Sequence, residues 1–433
     1  VTNNLIDHTT EKEIKDFILN HLINLDEIQA YNYFAENTRY FREEFLTLLS
    51  SIDVYFIEDT KSTAYLYFNN SAVKITHNSI TAIDYLDLGG YVWKDHIIDR
   101  AYISCESTDC DYKTFIENIS SKDKLRVSSF RSTIGYLLHG WKNLSYCPAT
   151  ILNDEQISDS PEGGTGKGLF MTALGKMKKL VVIDGKSFNF DKSFAYQLVS
   201  ADTQILCFDD VSKQFNFEKL FSVVTEGLTL EKKNKDAIKI PFSKSPKVCI
   251  TTNYAIKGKG NSFERRKWDL ELGQYYNKDL TPLREFGKLM FGEWNDKEWC
   301  GFDNYMIESL QIYLEYGLIK SPFVNLKTRN LITDTEPEFV EWCGVLKGML
   351  PNENLQLNKK SYKQDLYIDF IEDNPDFGPK SKMTVSRIKF NKWLILFNQF
   401  KYDCNPEEDR DRTGRWIRFR NRHELETDGE IEF

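Results

Sequence analysis

One stretch constrains the fold of this chain more than any other: Ser160-Pro161-Glu162-Gly163-Gly164-Thr165-Gly166-Lys167-Gly168-Leu169-Phe170. It follows an apolar, strand-like run (ATIL, 149–152) and opens a helix-like segment. In that setting glycines let the backbone curl so that its N–H groups face inward around a phosphate. The helix N-terminus adds the positive end of its dipole, and a lysine reaches the outer phosphates as a point charge. Gly163, Gly164, Thr165, Gly166, Lys167, Gly168 and Leu169 are therefore the candidate nucleotide-binding residues. Two positions depart from the usual spacing of glycines, lysine and hydroxyl residue. Pro161 stands where the first glycine is expected, and Gly168 where a Ser or Thr would ligate magnesium.

The surroundings of the loop repeat its logic. Between about 147 and 275, apolar runs alternate with helical stretches: ATIL, KLVVID (179–184), TQILCFDD (203–210) and KVCITTN (247–253). Continuous apolar strands bounded by helices imply an α/β fold with a parallel sheet covered on both faces. The third run ends in Asp209-Asp210 and the fourth in Asn253. Ligands of such sheets gather at the carboxyl ends of the strands. One carboxylate, Asp209, is placed to hold magnesium, and Asp210 to orient or deprotonate an attacking water. Asn253 suits a water held against the terminal phosphate. Arg265 and Arg266 follow shortly after; paired arginines there suit charge stabilisation across a subunit boundary.

These elements, in this order, resemble the superfamily 3 helicases of the AAA+ class, with the phage- and plasmid-type primase–helicases of mobile elements as the nearest likeness. The resemblance covers roughly residues 120–320. It implies an AAA+ P-loop core, ATP and Mg2+ as cofactors, Lys167 as phosphate ligand, Asp209 and Asp210 serving magnesium and water, Asn253 as sensor, and Arg265 or Arg266 as a finger acting in trans. It also implies a hairpin between the acidic and Asn-tipped strands whose tip grips DNA. Here that interval, 228–240, has two alternating arms around Lys232, Lys233 and Lys235, residues suited to sequence-independent phosphate contacts. The activity implied is an ATP-dependent ring helicase, a homo-hexamer that translocates on single-stranded and forked DNA during replication of a phage, plasmid or other mobile element, with a primase or polymerase as a further partner. The alternative is a nucleotide-responsive DNA-binding replication initiator with weak or no ATPase, which Gly168 favours.

The flanks divide the chain into four: an N-terminal α+β domain of no assigned role (1–110), a helical collar or linker (111–146), the ATPase core (147–330) and a small C-terminal domain (335–433). The last reads as helices over 336–350, 361–373 and 384–400, then a turn and the basic strand RWIRFR, which resembles a winged helix. Its 380–422 segment holds twelve Lys and Arg against five Asp and Glu, a local +7 inside a chain of 433 residues whose net charge is −9. Whole-chain acidity thus does not exclude nucleic acid, because charge acts by face rather than by total. No apolar run approaches the length of a membrane span, and no signal-peptide core opens the chain. Scattered cysteines argue against a disulfide framework and for a reducing cytoplasm; only Cys105 and Cys110 lie close together. Position 1 is Val rather than Met, as in a piece cut from a longer polypeptide. Residues 1–110 carry neither an acidic triad nor a zinc cluster, so any priming activity would need an upstream segment.

Overall fold

A computed structural model describes residues 4–50, 52–105, 107–155, 164–231, 237–254, 256, 260–346, 349–379 and 381–422. It is a mixed α/β structure centred on a five-stranded, wholly parallel sheet. The strands lie across it in the order Lys267–Leu272, Ala149–Asp154, Lys247–Thr252, Ile205–Val211, Leu180–Asp184. Four of these are the apolar runs singled out in the sequence. The fifth, Lys267–Leu272, alternates charged and apolar residues and pairs with Ala149–Asp154 at the sheet edge.

The alternation of side chains along a strand builds two cores, one on each face. Leu152, Ile205, Cys207 and Cys249 point to one side, where they meet Phe130 and Ile134 of the Lys124–Leu138 helix, Phe170 and Leu174 of the Lys167–Gly175 helix, and Phe302 and Ile307 of the Asp296–Tyr316 helix. Ala149, Ile151, Leu206, Phe208, Val248 and Ile250 point to the other, against Phe215, Phe217, Leu220 and Val224. Every residue of the Ala149–Asp154 and Lys247–Thr252 strands is buried, as central strands covered on both faces should be.

The N-terminal region contributes a four-stranded sheet in the order Ile80–Ile83, Ser71–Ile75, Ala64–Phe68, Ile97–Ile98. Leu66, Phe68, Val73 and Ile75 enter the first of the two cores. The β-rich run VYFIED (54–59) is not a strand of this sheet and makes a single bridge, from Phe56 to Tyr91. The preceding helices, Glu11–Asn24 and Ile28–Glu36, bury no residue.

The C-terminal region has a core of its own, including Phe339, Phe370, Phe390, Trp393 and Ile417. Helices Pro337–Trp342, Lys363–Asp373 and Arg387–Tyr402 pack with a three-stranded sheet in which Arg415–Arg418 lies between Lys360–Tyr362 and Glu407–Arg410, antiparallel to both. Part of its positive charge is met internally, since Arg418 and Arg420 share Glu407 at 3.0 Å and Lys360 pairs with Asp411 at 2.6 Å.

Cys105 and Cys300 form a disulfide across 195 residues, joining the segment after the N-terminal sheet to the Asp296–Tyr316 helix. The bond departs from the expectation, drawn from the scattered cysteines, that disulfides are absent, and it leaves Cys110, the cysteine nearest to Cys105 in sequence, unbridged. Cys110 caps the Asp111–Ile119 helix, its sulfur accepting from the Lys113 N–H. Among the described residues no helix is long and apolar enough to cross a membrane.

Candidate nucleotide-binding cleft

Three neighbouring strands end at one cleft of about 480 Å³. The Ala149–Asp154 strand leads toward the glycine-rich loop, the adjacent Lys247–Thr252 strand runs into Asn253, and the next, Ile205–Val211, carries Asp209 and Asp210. Gly164, Thr165, Gly166, Lys167, Gly168 and Leu169 line the cleft with Asp209, Asp210, Thr251 and Asn253. Gly163 lies outside the described residues. Gly166 has φ +106°, and a Cβ there would stand 2.7 Å from the Phe115 ring. The turn into the Lys167–Gly175 helix is therefore open only to glycine.

Lys167 is held at the centre. Its Nζ lies 2.5 Å from Asp154 Oδ2 and donates to Asn253 Oδ1 at 2.6 Å. Burial lowers its pKa from the ordinary lysine value, while the Asp154 carboxylate works in the opposite direction. Asp154 also accepts from the Thr165 hydroxyl, and Arg329 of the Leu326–Asp334 helix donates to its carbonyl. Asp154 was not among the sequence candidates. It is the last residue of an apolar strand, and only the folded loop returns Lys167 to it.

Adjacent residues of a regular strand point to opposite faces, yet Asp209 and Asp210 both line the cleft. A bulge resolves this: Ile250 pairs with Phe208 and Thr252 with Val211, so the two aspartates face Thr251 alone. Asp210 takes a left-handed conformation, φ +51°. The Thr251 hydroxyl ties the pair together, donating to Asp209 Oδ1 at 2.5 Å and accepting from the Asp210 N–H at 2.7 Å. Asp210 in turn pairs with Lys186 at 2.5 Å and accepts from Asn253 Nδ2 at 3.5 Å. Thr251 and Lys186 carried no sequence signal of their own.

The opposite wall is formed by Thr281, Pro282, Leu283, Leu289 and Met290. It offers an apolar surface suited to a flat ring while the loop side offers N–H groups and a cation. No group of three or more His, Cys, Asp or Glu residues forms a metal nest among the described residues. The donors at the cleft are the carboxylates of Asp209 and Asp210. They fit a magnesium ion that keeps waters and phosphate oxygens and asks the protein for one or two ligands. Gly168 adds no hydroxyl; Thr165 is bonded to Asp154, and the Thr172 hydroxyl donates to the Gly168 carbonyl at 2.9 Å.

Arg265 and Arg266 do not line this cleft. Arg265 is exposed, its Nε donating to the Asn261 carbonyl. Arg266 is half-buried, its guanidinium over the Phe221 ring at 4.6 Å. Between the acidic and Asn-tipped strands, Gly227–Leu230 and Ile238–Pro241 pair antiparallel, Leu228 opposite Ile240. Lys232, Lys233 and Lys235 lie outside the described residues.

A family described as "Family of unknown function (DUF5906)" matches residues 159–266, from the glycine-rich loop to Arg266. No curated protein matches the chain. Three similar solved structures are all apo forms of the NrS-1 C terminal region. Two share 14% identity with this chain at TM-scores of 0.37 and 0.38, covering 83% and 82% of it and 96% of their own chains. The third shares 13% identity at a TM-score of 0.34, covering 83% of this chain and 97% of its own.

Proposed function

We propose that this chain is an ATP-dependent ring helicase of the AAA+ superfamily 3 type, translocating on DNA during replication of a phage, plasmid or other mobile element. The observation that carries the reading is the convergence of Lys167, Asp209, Asp210 and Asn253 in one cleft at the carboxyl edge of a parallel sheet. Phosphoryl transfer to water asks for little beyond positioning and charge. Lys167 and the loop N–H groups would hold the phosphates of ATP. Asp209, with Asp210, would hold Mg2+, whose role is to neutralise charge on the phosphate oxygens. Asp210, bonded to Asn253, would orient the water. Thr251 fixes the Asp209 carboxylate and the Asp210 backbone.

Arg265 is the better finger of the two arginines, because Arg266 is committed to the Phe221 ring. A finger absent from its own subunit's cleft calls for a neighbouring copy, and heterologous contacts that close make rings, here a homo-hexamer. The antiparallel pair 227–230 and 238–241 would carry Lys232, Lys233 and Lys235 toward single-stranded or forked DNA. The three-helix, three-strand C-terminal region is a winged-helix-like element for duplex contact. The setting is a cytoplasm, with a primase or polymerase as partner. Gly168 favours a second reading, a nucleotide-responsive DNA-binding initiator; it predicts nucleotide binding without Mg2+-dependent turnover.

The test is ATPase activity with and without single-stranded DNA, on protein sized by light scattering. Lys167→Ala is expected to abolish nucleotide binding. Asp210→Asn is expected to leave binding within a few-fold and lower turnover by about a hundredfold or more. DNA-stimulated hydrolysis that survives Lys167→Ala would overturn the proposal.

A further inference from the structure

The opposite edge of the same sheet holds a second cleft, about 450 Å³, between the N-terminal layer and the starts of the strands. Lys247 opens the strand that runs into Asn253, so this cleft is about 20 Å from the phosphate loop at the usual rise per residue. Lys142, Lys178 and Lys247 line it, and they are 8%, 7% and 3% exposed. Among the described residues each ammonium is hydrogen-bonded to neutral oxygens and forms no ion pair, although Lys142 lies over the Phe242 ring at 4.9 Å and Lys247 over the Tyr136 ring at 4.0 Å. Lys142 donates to Ser245 Oγ and the Pro246 carbonyl, Lys178 to the Tyr65 carbonyl, and Lys247 to the Tyr136 carbonyl.

Glu58, Asp59 and Asp202 also line the cleft, but among the described residues none forms an ion pair with the three lysines, and the Asp59 charge reaches Lys178 and Lys247 only at longer range. Asp59 accepts from the backbone N–H groups of Tyr65 and Gly140, Glu58 pairs with Lys244, and Asp202 pairs with Lys179. Buried charges are ordinarily paired, because desolvation without a partner is costly. Three in one cleft, with Asp59 the carboxylate that acts on two of them and only at longer range, leave an excess of positive charge. Burial pushes Lys142 down to about 8 and Lys247 down to about 7, with the other two lysines adding to the depression at Lys247.

His139 supplies an independent sign. It is 1% exposed and lines the cleft. Its Nε2 faces the Thr60 carbonyl at 2.8 Å and so carries the proton. Nδ1 is then a bare acceptor, and it has no partner among the described residues. Burial holds the ring neutral, with its pKa lowered to about 4. Beside it stands Trp141, half-buried and lining the same cleft. Trp93, by contrast, is already stacked on His8 and Phe56.

We propose that this cleft is a second binding site, for a nucleotide monophosphate group: phosphate oxygens on Lys142, Lys178 and Lys247, a sugar hydroxyl or base N–H donating to His139 Nδ1, and the base against Trp141. Inorganic phosphate answers only the first of these three demands. The nucleotide is either free or the terminal residue of a strand.

The experiment is calorimetric titration of the full chain carrying Lys167→Ala, which removes the phosphate loop as a competing site. The probes are dTMP, a 5′-phosphorylated thymidine tetranucleotide and inorganic phosphate. Saturable binding of dTMP is expected, weakened by about tenfold or more in Lys142→Met and in Lys178→Met, the loss of a charge-assisted contact. Binding of the tetranucleotide alone, with the same losses, assigns the site to a strand end. The methionine variants should keep or raise the melting temperature, since each removes an unpaired buried ammonium. Absence of saturable binding of both nucleotide probes at millimolar concentration overturns the proposal whether or not the variants fold. So does binding unchanged by both substitutions, or phosphate binding as tight as dTMP.

Discussion

At the carboxyl edge of the central sheet, Lys167 is buried between Asp154 and Asn253; at the amino edge, Lys142, Lys178 and Lys247 are hydrogen-bonded to neutral oxygens, with no ion pair among the described residues. The same five strands present both arrangements. At the first edge the chain supplies an internal counter-charge, so the empty cleft is stable and an incoming phosphate must displace a carboxylate. At the second no carboxylate among the described residues pairs with the three lysines, and Asp59 offsets the charge of two of them only at longer range. A buried lysine is thus informative only together with what faces it.

The largest expected effect tests the internal counter-charge. Asp154→Asn removes the ionic partner of Lys167 and should destabilise the nucleotide-free protein by about 3 kcal/mol, the usual consequence of leaving one member of a buried pair. Saturating ATP should restore much of it. Thermal unfolding with and without nucleotide measures both, and an unchanged melting temperature without nucleotide would erase the contrast between the two edges.

A smaller effect tests the amino edge. Lys247 sits at about 7 in the folded chain against an ordinary value of 10.5. Between those values the unfolded chain holds a proton that the folded chain lacks, so the contribution of Lys247 to stability rises with pH across that window. Below pH 7 both states are protonated and the burial penalty is complete. Lys247→Met should therefore be more stable than the parent near pH 6, with an advantage that shrinks as pH approaches 10. Urea midpoints measured across that range decide it; a pH-independent difference would mean that Lys247 keeps its proton in the folded chain throughout.

The smallest effect concerns the missing hydroxyl. A Cβ at Gly168 would meet nothing within 4 Å, so Gly168→Ser should fold normally. It is expected to lower the Mg2+ concentration needed for half-maximal hydrolysis by a few-fold, read from ATPase rates titrated with magnesium. No change would mean that the two carboxylates already complete what the protein offers the ion.

Local and periodic features were legible in the sequence. The four apolar runs became neighbouring strands, and the loop, Asp209-Asp210 and Asn253 came together because each terminates a strand of one parallel sheet. The Lys267–Leu272 strand was not legible: Asp269 and Glu271 interrupt its apolar run, although both are enclosed by the fold, where burial raises their pKa values. Asp154 and Thr251 act through contacts made only after folding. The lysines of the amino edge carried no sequence signal, because composition does not reveal which cations a fold encloses. The Cys105–Cys300 pair spans 195 residues, a distance across which spacing carries no signal. The tip lysines 232, 233 and 235 remain a sequence reading alone.

The bulge at Asp209-Asp210 has a consequence for heritable change. Two residues there face one, and Asp210 bends into the left-handed region to allow it. A substitution at either position removes an oxygen and leaves the ladder in place. A deletion of one restores a regular strand, and with a side-chain period of two it turns every residue on one side of the cut to the other face. Either the apolar residues Leu206 and Phe208 or the chain beyond Val211 would then point the wrong way. The segment can therefore drift in composition but not in length, and related chains are expected to vary in the apolar residues of 205–211 while keeping their number.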